Sequence, residues 1–97
     1  MKYRSKMLIY MEILSALMAQ PRLPTNLAQT VNINLARLDE YLGPLQAGSL
    51  VKRDKIDGHE VIAITLEGRN MWEDLRKIEA TLKLAETKSR QMEGMPK

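Results

Sequence analysis

Residues 48–75, GSLVKRDKIDGHEVIAITLEGRNMWEDL, restrict the possible folds of this chain more than any other stretch. Two short runs of alternating apolar and polar residues flank Asp57-Gly58, and a long helical pattern opens at Thr65 with no linker. Asp-Gly between such runs predicts a β-hairpin, because a two-residue type I′ turn needs positive φ at both central positions. The expected strands are 50–55 and 60–65, with Val61, Ala63 and Thr65 on one face of the second and Ile62 and Ile64 on the other. A two-stranded sheet alone is marginal, so this one must lie on helices.

The sequence supplies three helices before the hairpin. The first is expected from the N-cap Ser5 to residue 19 or 20, where Pro21 stops it. Met7, Met11, Leu14 and Met18 line one face, while Leu8, Ile9, Tyr10, Ile13 and Leu17 spread beyond it. A helix this apolar needs cover on two sides, the second from a partner chain or from the C-terminal helix. Pro21-Arg-Leu-Pro24 is a stiff extended connector. Thr25 is the expected cap of a short second helix over 26–31, and Asn32-Ile33-Asn34 is the turn after it. Asn34 is then the expected cap of a third helix. Leu35, Leu38, Leu42 and Leu45 are spaced three, four and three apart, which predicts one buried stripe with Tyr41 at its flank. Gly43-Pro44 predicts a kink or a broken last turn, since proline cannot donate to the Glu40 carbonyl and crowds it. Gly48 is expected to close the helix in the left-handed conformation.

The last helix is expected over 66–92, ended by Gly94 and Pro96. Its stripe of Met71, Leu75, Ile78, Leu82, Ala85, Ser89 and Met92 alternates steps of four and three, as coiled-coil seam positions do. At 1.5 Å per residue such a helix is roughly 40 Å long, more than a head of this size can cover. Pairing with its own copy is the simplest cover, and Ile78, Leu82, Ala85, Ser89 and Met92 form the expected dimer interface. The alternative is folding back on the first helix.

Ninety-seven residues support a single hydrophobic core. Residues 1–65 form the expected head and 66–97 the dimerisation helix. The absence of cysteine excludes disulfides, thiolate metal sites and thiol catalysis. The one histidine, His59, falls at the hairpin tip, where solvation is its ordinary state. No nucleophile, base and orienting group can be assembled, so no enzyme activity and no cofactor are expected. The apolar opening stretch carries Glu12 and lacks a cleavage site, and no run approaches the length of a membrane span. A cytoplasmic protein is therefore expected. The net charge of +3 is uneven: residues 1–37 hold five basic groups against Glu12, while the remaining sixty are net −1. That gradient suits a polyanion, although it equally describes a solvated face.

Three helices, a hairpin and a long helix, in that order, are the plan of a winged helix-turn-helix, a fold that often places a one- or two-residue strand where the Pro21–Pro24 connector lies, pairing with the hairpin. The residues resemble those of small archaeal winged-helix DNA-binding proteins of the Sulfolobus "10a" type across nearly the whole chain. Arg4-Ser5-Lys6 before LIYMEILSAL resembles their opening. Asn32-Ile-Asn-Leu35, Tyr41-Leu42, Leu45, Gly48 and Leu50-Val51 resemble their third helix and its exit. Thr65-Leu66-Glu67-Gly68 resembles the start of their last helix. This sequence departs from the type at Gly43-Pro44 and in the small residues of its seam. The resemblance implies a nucleoid-associated homodimer, joined by an antiparallel coiled coil, that presents two winged helices to duplex DNA.

In such a fold the N-terminal half of the third helix enters the major groove, with Asn34, Ala36, Arg37 and Glu40 outward. Arg37 is the leading candidate, able to fork onto guanine or to take a phosphate. Asn34 could read adenine, but capping competes. Thr25 and Asn26 would offer backbone N–H groups to a phosphate. Lys2, Arg4 and Lys6 form a basic arm, and Lys52, Arg53, Lys55 and His59 supply the wing. Asp39 and Glu40 work against phosphate binding. Four aromatic residues are too few for a base-stacking platform. Two functions follow: a dimeric DNA-binding protein, regulatory or architectural, or a winged-helix module that docks protein without touching DNA.

Overall fold

The computed structural model describes residues 4–93, with side chains through Arg90. Its elements run α1(Lys6–Ala19), α2(Pro24–Val31), α3(Leu35–Ala47), β1(Val51–Ile56), β2(His59–Ile64) and α4(Leu66–Glu93). This is the expected winged-helix order, mainly helical with one antiparallel hairpin.

Local chemistry sets the boundaries. The Ser5 side chain accepts the Leu8 N–H at 3.1 Å and opens α1. The Asn34 side chain accepts the Arg37 N–H at 2.8 Å and opens α3. Asp57 and Gly58 take φ of 52° and 79°, the pair of positive values a type I′ turn demands. β1 and β2 pair antiparallel from Val51↔Ile64 to Ile56↔His59. Arg22 bridges Ile62 from the other side, so the proline-bound connector does add a third short strand. β2 is thus the middle strand, and Val61, Ile62, Ala63 and Ile64 are all buried, whichever face they occupy. On the edge strand β1 only Val51 is buried.

Several expectations need correction. Thr25 does not cap α2: Leu23 holds the cap position without a side-chain bond and Pro24 opens the helix, so Thr25 lies inside its first turn. Proline suits that first position because the N–H it lacks would be unsatisfied there anyway. Gly48 has φ −83° and is not left-handed; Ser49 is, at φ 61°. The Leu50 N–H reaches the Leu45 carbonyl and the Ser49 N–H reaches that of Gln46, a Schellman closure set one residue later than expected. Pro44 does not end α3, which runs on to Ala47. Glu40 and Pro44 both face solvent, so water can satisfy the freed carbonyl. In α1 the deeply buried set is Ile9, Ile13, Leu14 and Leu17, while Met7 is 60 % exposed.

The core joins these α1 residues to Leu27 and Val31 of α2, Leu38, Leu42 and Leu45 of α3, and Ile62 of β2. Trp72 is half-buried against it. The entry to α4 is tied to the exit from α3. The Thr65 hydroxyl accepts the Gly68 N–H at 3.0 Å and approaches the Ser49 and Leu50 carbonyls at 2.7 and 3.1 Å. Gly68 lies against the Leu50 carbonyl, where a Cβ would collide. The Thr65-x-x-Gly68 pattern thus has two jobs, capping and close approach.

From Arg76 to Arg90 every residue of α4 is exposed. The molecule extends 67 Å in its longest dimension and its radius of gyration is 17.2 Å. A compact domain of this length would have roughly 12.5 Å. The excess is the projecting half of α4, which does not fold back on α1. Among the described residues no helix is long and apolar enough to cross a membrane.

Candidate nucleic-acid interface

Arg37 is exposed on the first turn of α3. Its guanidinium donates to the Tyr41 hydroxyl at 3.3 Å and lies 5.9 Å from the Tyr41 ring centroid, a cation–π contact one helical turn on. Tyr41 is itself buried and meets Tyr10 edge-to-face, ring centroids 5.2 Å apart. The exposed Arg37 is therefore braced by Tyr41, which is in turn packed on Tyr10. The sequence signal for that brace is the i, i+4 spacing of Arg37 and Tyr41.

Leu35, expected in the buried stripe, is 44 % exposed beside Arg37. Residue 35 is the first of α3, and burial in the stripe begins at Leu38. Ala36 is exposed too, and Asn34 keeps its side-chain oxygen on the cap. At the N terminus of α2, Thr25 and Asn26 are exposed, and the Asn26 side-chain oxygen accepts from Arg22 at 2.9 Å.

Two of the expected cations are engaged inside the protein. Arg4 pairs with Glu12 at 2.7 Å and also donates to the Val31 and Asn32 carbonyls at 2.6 and 2.9 Å. These carbonyls end α2, so Arg4 caps that helix and pins the start of α1 to it. Arg53 donates to Glu60 at 2.7 Å and to Gln46 at 3.1 Å, and lies 3.7 Å from Asp39. It ties the hairpin to α3 and offsets the charges of Asp39 and Glu60. Lys6, Lys52, Lys55 and His59 are exposed and take part in no ion pair among the described residues. Lys2 and the Met92 side chain lie outside the described residues.

The structure thus leaves Leu35, Ala36 and Arg37 exposed on the first turn of α3, with the hairpin cations on the neighbouring element. The basic charge read in the sequence is divided into outward-facing and internally paired groups.

The winged helix-turn-helix family model matches residues 3–83, and the chain belongs to that family. Among solved structures it is similar to the transcriptional regulator BldR of Sulfolobus solfataricus. Identity there is 20 %, the match covers 90 % of this chain and 73 % of that one, and the TM-score is 0.66. It is similar to MepR, a transcription regulator of the Staphylococcus aureus multidrug efflux pump MepA, at 17 % identity. That match covers 88 % of this chain and 70 % of that one, with a TM-score of 0.70. A third likeness is to the homodimeric winged helix-turn-helix DNA-binding domain of Mb0332 from Mycobacterium bovis. Identity is 18 %, coverage 92 % and 77 %, and the TM-score 0.55. At these identities the structures speak for the fold. No curated protein matches the chain.

Proposed function

We propose that this chain binds duplex DNA as a homodimer and acts as a transcription regulator or chromatin-associated factor. The observation that carries this reading is the outward Arg37 guanidinium, braced by Tyr41 on the first turn of α3. Family membership and the regulators that share the fold support it. Arg37 would contact a guanine or a phosphate, with Asn34 and Ala36 beside it in the groove. The N terminus of α2, which has no side-chain cap, would offer the Thr25 and Asn26 N–H groups to a phosphate. Lys2 and Lys6 of the arm and Lys52, Lys55 and His59 of the wing would add backbone contacts, while Arg4 and Arg53 hold the frame. The opening Arg4-Ser5-Lys6 and the Thr65-x-x-Gly68 entry support membership of the archaeal 10a type. A nucleoid-associated, cytoplasmic location follows from this reading.

Dimerisation through α4 is supported by Ile78 and Leu82, 54 % and 56 % exposed on one stripe of a helix that no other described element covers there. Mb0332 is a homodimer with the same fold. The test is duplex binding across a salt series: log affinity should fall with log salt at a slope of about −0.9 per neutralised phosphate. Replacing Arg37 by Ala should weaken binding at every salt. If mixed-sequence and genomic duplex fail to bind at low salt, the acidic Asp39 and Glu40 on α3 favour the protein-docking alternative.

A further inference from the structure

Arg37 and Tyr41 stand four residues apart on α3, so they share a face, and the backward lean of helical side chains brings Tyr41 alongside the arginine. Their contact has two parts. Nη2 of Arg37 donates to the Tyr41 hydroxyl at 3.3 Å, and the guanidinium carbon lies 5.9 Å from the ring centroid. The ring cannot easily follow the arginine if it swings away. Tyr41 is 7 % exposed, and its ring meets that of Tyr10, from α1, edge-to-face at 5.2 Å. The backbone of Arg37 is held as well, because its N–H is the one that the Asn34 side chain accepts at 2.8 Å. A long, exposed side chain is thus fixed at its backbone and at its guanidinium before any partner arrives. The bond to Tyr41 uses Nη2 and leaves the other nitrogens for that partner.

Glu40 is exposed three residues from Arg37, yet neither of the two enters an ion pair among the described residues. The guanidinium rests on a neutral hydroxyl and ring and keeps its full charge. Two contacts are open to such a group. Binding a phosphate asks for a positive charge within reach, and a mobile lysine supplies that as a point charge. Forking onto guanine O6 and N7 asks for the plane of the guanidinium to be set, and fixing it in advance lowers the entropic cost of that contact. The neighbouring charge points the same way: the Glu40 carboxylate repels a phosphate, whereas a base edge carries N–H donors that it can accept.

We propose that Arg37 reads a guanine in the major groove and that Tyr41 is its positioning residue, with the hydroxyl orienting the guanidinium and Tyr10 backing the ring. This rests on the DNA-binding reading above. It goes beyond that reading by choosing the base over the phosphate and by giving two packed aromatics a part in specificity.

The test uses the full chain and chemically altered duplex. Selection from a randomised duplex pool should enrich a site, and each of its guanines is then replaced in turn by 7-deazaguanine, which lacks N7 and leaves every phosphate in place. At one position the replacement should weaken binding by the unaltered protein about tenfold. Arg37→Ala should abolish that difference. Tyr41→Phe keeps the ring and its packing on Tyr10, and should shrink the difference about threefold or more without lowering Tm or affinity for mixed-sequence duplex. Tyr10→Phe removes a hydroxyl that takes no part in the Arg37 contact, and should leave the difference intact. Two results overturn the inference while the DNA reading stands. One is duplex binding that no 7-deazaguanine replacement weakens, with Arg37→Ala lowering the salt slope by about 0.9. The other is a Tyr41→Phe variant that discriminates as well as the unaltered protein. Failure to bind any duplex at low salt removes the DNA reading itself, and this inference with it.

Discussion

The head and the free half of α4 are similarly built from helix-forming residues, yet they solve the burial problem in opposite ways. In the head, Ile13, Leu27, Leu38 and Leu42 are completely buried, and each packs on residues far away in sequence. In the free half, Ile78, Leu82 and Leu84 are between 54 % and 67 % exposed, and the ion pairs formed, Glu79–Lys83 and Glu86–Arg90, are local. Surface pairs of that kind contribute little. The head is therefore stabilised by tertiary contacts within one chain, whereas the distal helix has its own hydrogen bonds and an apolar stripe without an intramolecular partner. An exposed stripe on an isolated helix is a standing requirement for a second surface.

That contrast can be broken most visibly in the core. Leu42→Ala should lower the unfolding free energy by about 2–5 kcal/mol, read by denaturant titration. Leu82→Ala should leave the head's unfolding unchanged and weaken self-association, read by sedimentation. Equal losses in the two variants would mean that head and helix form one cooperative unit. Next in size is Gly68→Ala, at the junction of the two regions. Its Cβ would meet the Leu50 carbonyl and stand 2.7 Å from Ile64 Cγ1, so a loss of about 1–3 kcal/mol is expected in thermal melts.

Within the head, Arg37 and Arg4 should separate binding from stability. Arg37→Ala should reduce duplex affinity by about 1–3 kcal/mol with little change in Tm. Arg4→Ala removes the Glu12 pair and two carbonyl bonds, and should cost about 1–2 kcal/mol of stability while duplex affinity at fixed salt stays nearly constant. Loss of affinity in both would return Arg4 to the binding surface. The smallest effect is expected at Gly43, which has open space around it: Gly43→Ala should stabilise the protein by about 0.5–1 kcal/mol through helix propensity.

Much of the fold could be read from short-range chemistry. Asp57-Gly58 named the hairpin and its turn type, and Ser5 and Asn34 named two helix starts, whereas the bridging strand at Arg22 was expected from the fold type and not from its own residues. Errors fell where two local rules competed. Thr25 is a good cap, but Pro24 before it already fixes a helical φ and pulls the start upstream. Gly48 is the usual left-handed residue, but α3 keeps one more turn position and Ser49 takes that conformation instead. The candidate site was less legible than the fold. Residue types marked Arg4, Arg37 and Arg53 alike as basic surface, and nothing in their spacing separates an Arg that closes α2 from one that faces solvent.

The sequence by itself determined the order of elements and most of their ends, because turns and caps depend on φ preferences and on donors within a few residues. Only the tertiary structure decided which cations remain available and which apolar residues lack cover. Arg4 meets Val31, and Arg53 meets Asp39, only after helices and hairpin have packed. Ion pairing and burial are properties of neighbours in space, and those neighbours are remote along the chain.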